Sequence, residues 1–417
     1  MIIALLALLA LLGAPLFVVI ATSAMLGYTQ SEIPLSVMSI EVFGIAEMPI
    51  LLAIPLFTFA GYVLSESQAP ARLVHLTSAL LGWLPGGLAI VSIAACAFFT
   101  AFTGASGVTI IALGALLYPA LIQAGYEDRF TLGLVTSAGS LGLLFAPSLP
   151  LILYGVVAEI PIDDLFLAGI IPGTLMMVAM AAHSLWANRE NRTPLSDFSG
   201  RRLVAAVRDT AWEIPLPIVV LGGIYSGYFA VSEAAAVTVV YAVVVEVFIR
   251  RDIPVRELPR IMRESMVLVG GILLILGVSL ASTNYMIDAQ VPEQLVGYVN
   301  RFVSGPTSFL LLLFCFLLVL GAILDIFSAL VLVVPLILPV AAVYGVHPIH
   351  LGIVFLATMQ LGFLTPPVGL NLFISSYRFD KSIVSVYLAT FPFLLILLAS
   401  VLLITFWPAL SLVLLGQ

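Results

Sequence analysis

Charge is scarce in this sequence. Only 9% of its 417 residues are Asp, Glu, Lys or Arg, where a soluble domain carries about 25%. That excludes a water-covered globular surface. Cysteine is nearly absent: Cys96 and Cys315 both sit in apolar runs and read as small buried hydrophobes, which excludes a disulfide framework or a thiolate metal site. Histidine is equally sparse. His75, His183, His347 and His350 all fall near the ends of apolar segments, and neither a His-Glu-x-x-His motif nor a Gly-rich phosphate loop occurs. No hydrophilic domain is set apart.

What is present is apolar surface, at 62% hydrophobic residues and a mean hydropathy of +1.22. Backbone polar groups must be satisfied internally in lipid, so apolar runs this long are expected to be membrane-spanning helices. A barrel would need short alternating strands, and the stretch Phe309 to Leu324 does not alternate. The formal net charge of −7 says little about partners, but the basic residues do more. Ten of the 15 lie in two segments: Arg189, Arg192, Arg201, Arg202 and Arg208, then Arg250, Arg251, Arg256, Arg260 and Arg263. Lys/Arg-rich loops stay in the cytoplasm, which orients the chain. Because these arginines alternate with acids and flank apolar spans, they do not form a nucleic-acid patch. The acidic loop Glu159 to Asp164 is expected on the opposite side.

Apolar segments fall at about 1–27, 34–64, 74–124, 130–158, 165–187, 212–249, 265–287, 303–345, 350–377 and 383–413. The first is read as a retained span, since it lacks a basic leader and a small-residue cleavage site. Segment 212–249 is expected to divide at Gly227-Tyr228. Several others are too long for one span at 1.5 Å per residue and must fold back.

An internal repeat organises the rest. Pro119 to Pro147 and Pro339 to Pro367 have the same separation, 147 − 119 = 367 − 339 = 28. Gly125 and Gly345 follow the first proline by the same interval, and Gly142 and Gly362 precede the last by the same interval. Counting spans from the basic loops makes the copies run in opposite directions, with 303–345 a re-entrant hairpin. Inverted repeats with broken helices and a site at the midplane are the mark of secondary transporters.

Each copy offers two interruptions. One is a hairpin tip, Gly104-Ala105-Ser106-Gly107 or Asp325-Ile326-Phe327-Ser328; the other is a proline break, Phe145 to Pro150 or Thr365 to Gly369. A mid-helix proline frees backbone carbonyls, and in lipid a dehydrated cation is a suitable partner for them. Helix N-termini meeting at that depth would attract a carboxylate. Asp325 is the sharpest single residue, because an intramembrane carboxylate is costly and marks a functional site. The competing reading is a loop aspartate between two ordinary spans. Asn371 and Ser148 fit either a ligand or a packing role, and Glu233 is expected only to cap a helix N-terminus. Gly104 to Gly107 also matches the Gly-x-Ser-Gly of intramembrane serine proteases, but no histidine lies at membrane depth to act as base. No ring-forming filter motif suggests a channel.

Taken together, these residues resemble the large membrane subunit of TRAP (tripartite ATP-independent periplasmic) transporters over nearly the whole chain. The motifs are Ile54-Pro55-Leu56-Phe57 with Gly61, Gly104-Ala105-Ser106, Pro119 with Gly125-Tyr126, and Pro147-Ser148 with Tyr154-Gly155. They continue with Gly169 and Pro172-Gly173, Ser226-Gly227 with Glu233-Ala234-Ala235, Leu324-Asp325, Pro335 to Pro339, and Thr365 to Phe373. The resemblance implies an all-α integral membrane protein of the inverted-repeat elevator type. N-terminal scaffold helices (1–73) would precede a first transport repeat (85–158). More scaffold helices with the basic loops (165–287), a second transport repeat (303–377) and a C-terminal helix (383–417) would follow. Each repeat would hold one re-entrant hairpin and one broken helix.

The resemblance further implies sodium-driven import of a small organic anion across the bacterial inner membrane, without ATP or an organic cofactor. A first sodium site would take Ser106, Gly142, Pro147 and Ser148; a second would take Asp325, Ser328, Gly362, Thr365 and Pro367. Substrate would lie between the tips, near Gly104, Ala105 and Asn371. Ala105 stands where the family usually has a second serine, and Ala146 where it has a first proline, which shifts weight in the first site onto carbonyls. Expected partners are a small membrane subunit, a separate chain because the resemblance begins at Met1, and a periplasmic substrate-binding protein. The alternatives are a stand-alone sodium/carboxylate symporter of related fold and, more remotely, the protease.

Overall fold

A computed structural model describes residues 13–83, 86–189, 199–303 and 305–416. Every regular element among them is helical. The chain opens with α1 (Leu16–Gln30), α2 (Ser36–Gly44), α3 (Ala53–Glu66) and α4 (Ala69–Leu81). Then come α5 (Gly87–Thr103), α6 (Ser106–Gln123), α7 (Asp128–Ala138) and α8 (Leu149–Ala158), with a 3₁₀ turn Leu141–Leu144 between the last two. The middle holds α9 (Ile162–Ala187), α10 (Gly200–Asp209), α11 (Pro215–Tyr225) and α12 (Val231–Val243). The last third holds α13 (Leu258–Asp288), α14 (Val291–Val299), α15 (Pro306–Gly321), α16 (Ile326–Val343), α17 (Pro348–Gly362), α18 (Leu370–Phe379), α19 (Ile383–Phe406) and α20 (Ala409–Leu412).

Among the described residues, seven helical stretches are long and apolar enough to cross a membrane, or eight if α7, its 3₁₀ turn and α8, bent by 42°, count as one broken span. Segment 212–249 divides where expected: α11 ends at Tyr225, Gly227 takes φ 76°, and α12 begins at Val231. Glu233 caps it, its carboxylate accepting the Ala230 N–H at 2.9 Å. Part of the expected first span, residues 1–12, and Arg192 of the first basic loop lie outside the described residues. One expectation is corrected. Cys96 is buried, but Cys315 is exposed, because α15 turns that face outward, where an apolar thiol meets lipid without penalty.

The repeat is visible in the helix ends. For α6 and α16 the differences 326 − 106 and 343 − 123 are both 220, and for the starts of α7 and α17, 348 − 128 is again 220. Gly125 and Gly345, at the same offset, both take a left-handed φ, 87° and 69°, ending α6 and α16. A left-handed closing residue is the usual helix stop, and glycine adopts it without a Cβ penalty. Ala146-Pro147 and Pro366-Pro367 are both cis. The correspondence extends further than the proline windows, since α3–α4 precede α5 as α13–α14 precede α15.

Equivalent helices run antiparallel. Glu66 at the end of α3 pairs with Arg260 near the start of α13 at 2.9 Å. Tyr154 of α8 donates to the carbonyl of Pro348, the first residue of α17, at 2.7 Å, while Lys381, just past α18, pairs with Asp128, the first residue of α7, at 2.9 Å. The broken helices therefore lie head to tail, tied at both ends.

Candidate ion and substrate site

The first hairpin, α5–α6, turns at Gly104 and Ala105. Gly104 takes φ 65° and Ala105 is extended, so Ser106 starts α6 directly at the tip. Thr100 and Thr109 share a hydrogen bond of 2.7 Å across the arms, and Thr100 also donates to the carbonyl of Gly139, just past α7, at 2.9 Å. The break after the 3₁₀ turn sits over this tip. A Cβ on Gly104 would lie 2.7 Å from the Leu149 side chain, so Pro147 and Ser148, which immediately precede Leu149, lie next to the hairpin turn.

Gly142 and Gly362 have the same structural job. A Cβ on Gly142 would meet the Ala97 carbonyl oxygen at 2.1 Å, and one on Gly362 would meet the Gly321 carbonyl carbon at 2.5 Å. Each glycine lets the backbone of a broken helix lie directly against the first arm of its hairpin. Their carbonyls accept matched bonds, from Phe145 N–H at 3.0 Å and from Thr365 N–H at 2.9 Å.

The second site is built differently. Asp325 caps α16, its carboxylate accepting the Ser328 N–H at 3.2 Å, and it is half-buried. Thr365 donates its hydroxyl to the Leu361 carbonyl at 2.9 Å, and the Gly369 N–H donates to the Ala322 carbonyl at 3.0 Å, tying break to tip. Pro366, Pro367 and Val368 are exposed, whereas at the equivalent positions of the first break Ala146 is half-buried and Pro147 and Ser148 are buried.

The repeats also exchange contacts. Helix α18 packs on α6 and α8 on α16. Ser106 donates to Asn371 Oδ1 at 2.7 Å, and Thr136 donates to the Ser375 hydroxyl at 2.8 Å. Ser106 and Asn371, expected in different subsites, are thus one bridge between copies. Several buried polar atoms here have no protein partner: the hydroxyls of Thr103, Ser137 and Ser148, the Asn371 amide nitrogen, and both side-chain polar atoms of Gln360. Buried polar groups are normally satisfied, so oxygens left free beside a break are suited to an ion or ordered water. Thr103, Ser137 and Gln360 escaped sequence reasoning; only their polarity in apolar runs could have flagged them. The hydroxyl and carboxamide oxygens among them are hard donors of the kind that fits an alkali cation.

A fold of antiparallel repeats whose broken helices abut hairpin tips is that of a secondary transporter. Residues 1–410 match the family model of the tripartite ATP-independent periplasmic transporter, DctM component. The chain belongs to this family. It is 33% identical over 378 residues to the C4-dicarboxylate TRAP transporter large permease protein DctM of Pseudomonas aeruginosa, covering 90% of this chain and 88% of that one. It is 31% identical over 363 residues to the ectoine/5-hydroxyectoine large permease UehC of Ruegeria pomeroyi, covering 87% and 85%. The YdaH transporter of Alcanivorax borkumensis shares the fold at a TM-score of 0.58 and 13% identity, covering 89% of this chain and 87% of that one. The protein is accordingly a TRAP large permease, a multi-pass inner-membrane component of a tripartite transporter and not an enzyme. Ser106 bonds the Asn371 amide oxygen, and the buried His350 meets the Ser411 hydroxyl and the Thr405 carbonyl, each at 3.2 Å.

Proposed function

We propose that this permease imports a small organic anion, delivered by a periplasmic binding protein, together with the downhill entry of sodium. A small membrane subunit completes the assembly. The carrying observation is the buried, unpartnered Ser148 hydroxyl at a chain break beside the Gly104–Ser106 tip. Sodium held by such oxygens supplies positive charge where a carboxylate would dock. This chain's residues do the rest. Gly104 and Ala105 expose the tip backbone, the Ser106–Asn371 bridge fixes the distance between the copies, and Asp325 supplies a negative ligand at the second tip. Alternating access follows if the hairpins and broken helices slide against the remaining helices as one body.

The test is reconstitution of the full assembly in liposomes. Uptake should require an inward sodium gradient, and equal rates with potassium would refute the coupling. Uptake of free cargo without the binding protein would favour a stand-alone symporter.

A further inference from the structure

A cluster of charges outside the candidate site joins four chain segments on the cytoplasmic side. Its centre is Arg72, in the first turn of α4, the arm that leads from α3 to the first hairpin. The guanidinium reaches three carboxylates on three other segments. Nη1 meets Asp252 at 2.7 Å, Nη2 meets Glu246 at 2.8 Å, and Nε contacts Glu213. Those residues precede α13, follow α12 and precede α11 respectively. Glu246 and Glu213 are almost wholly buried, with 0% and 4% side-chain exposure, so each has little water to replace the arginine. The Gln68 N–H donates to Asp252 at 3.0 Å, and Glu66, two residues earlier, pairs with Arg260 of α13 at 2.9 Å. Hydrogen bonds from Nη1 and Nη2 to two different carboxylates fix the orientation of the planar guanidinium as well as its distance.

Beyond this staple the arm changes character. Leu73 of α4 faces Phe98, Phe99 and Phe102 of the hairpin across a small apolar void of about 20 Å³, whose wall Leu216 and Glu213 of the staple complete. The phenylalanine side chains themselves offer no hydrogen bonds that would have to break when they slide. The segment joining α4 to α5 holds Gly82, Gly86 at φ 67° and Gly87, residues able to absorb backbone rotation. The equivalent outer arm, α14, is tied the other way. The Asn300 carboxamide oxygen that follows it accepts from Tyr344, just past α16 of its own hairpin, at 2.5 Å.

We propose that Arg72 is a fixed anchor. It rivets the start of the first arm to the scaffold, so that movement of the first hairpin is taken up at Gly82, Gly86 and Gly87 and not at the α3–α4 turn. This rests on the reading that the hairpins move during transport. The outer arm travels with its hairpin instead.

The test places cysteines at the second tether, Glu66→Cys with Arg260→Cys, in a Cys315→Ser background, within the complete reconstituted assembly. A short bismaleimide should link them in high yield, and linked protein should retain sodium-driven uptake within about twofold of the unlinked protein. A loss of about tenfold on linking, or failure to link, would overturn the anchor. Uptake absent before linking would instead count against the transport reading. Amide exchange in the unsubstituted assembly then decides separately. The Gln68 amide should stay protected whether or not sodium and cargo are present, while the Ala89 and Ile90 amides, which close on the Gly86 carbonyl, should exchange faster when both are present. The reverse pattern refutes the anchor.

Discussion

Adding one methyl group at Gly142 tests the site's construction directly. The new Cβ would lie 2.1 Å from the Ala97 carbonyl oxygen, 2.5 Å from Thr100 Cβ and 2.6 Å from the Ala101 nitrogen. Ordinary carbon contacts are about 3.5–4.0 Å, so two packed backbones must separate by on the order of 1 Å. Two of the three atoms are main chain and cannot swing aside. Overpacking of this kind costs about 1–3 kcal/mol. The functional cost should be larger, because a shift of about 1 Å at a positioned site can lower rates ~10²-fold. Gly362→Ala, with its Cβ 2.5 Å from the Gly321 carbonyl carbon, should behave alike at the second break.

Gly222→Ala is the control, since nothing lies within 4 Å of the added atom and the residue sits inside α11. It should be neutral or stabilise by up to about 1 kcal/mol. The assay pairs thermal unfolding in detergent with initial uptake in liposomes, using cargo found by screening the cognate binding protein. Should Gly142→Ala match Gly222→Ala in both, the close approach of break and hairpin has no functional weight and the reasoning fails.

Three further outcomes are expected. Asp325→Asn keeps an acceptor for the Ser328 N–H and so keeps the start of α16, but it should raise the sodium concentration needed for half-maximal uptake; an unchanged sodium curve would count against a second site. Ser106→Ala removes the 2.7 Å bond to Asn371 and leaves that carboxamide wholly unpaired, so the unfolding midpoint should fall by the equivalent of about 1–3 kcal/mol, and no fall would argue against the bridge. Burial raises the Asp252 carboxyl, but hydrogen bonds from Arg72 and the Gln68 N–H outweigh it and hold the group below its ordinary value. Its stabilisation is therefore present above about pH 4, the unfolded value, and lost as pH falls through the lower folded value. Unfolding midpoints of the wild type and Asp252→Asn should differ at neutral pH and converge in acid, whereas parallel curves would refute the ionic staple.

Much of this architecture was legible beforehand for physical reasons. Apolar runs announce helices, and proline or glycine announces where they must stop, so the breaks at Pro147 and Pro367 and the turn at Gly227 stood out. The equal spacing of prolines and glycines marked two copies, although their side chains share little. What escaped notice depends on distant residues. Arg72 meets partners 174 and 180 positions away, and Ser106 meets Asn371 265 positions away. No local pattern encodes such pairings. The extension of the repeat to α3–α4 and α13–α14 was equally hidden, because only helix position is shared there. Exposure of Cys315 could not be read from composition, since every face of α15 is apolar.

The two copies share a backbone plan but not a chemistry, and that difference bears on how a pair of sites could act in sequence. In the first copy the break is buried and leaves the Ser148 hydroxyl unpartnered; in the second the break is exposed and its amide at Gly369 is already bonded to the hairpin tip. Were both breaks to hold sodium as proposed, an ion entering the first would need the surrounding helices to part, whereas one entering the second would not. Meanwhile the copies are interlocked: α18 lies on α6, α8 lies on α16, and Ser106–Asn371, Thr136–Ser375 and Asp128–Lys381 cross between them. A displacement of either copy must break these polar bonds or carry the other copy along, and carrying it is the less costly course. Two unlike ion sites bound into one rigid pair would then fill in a fixed order and cross together.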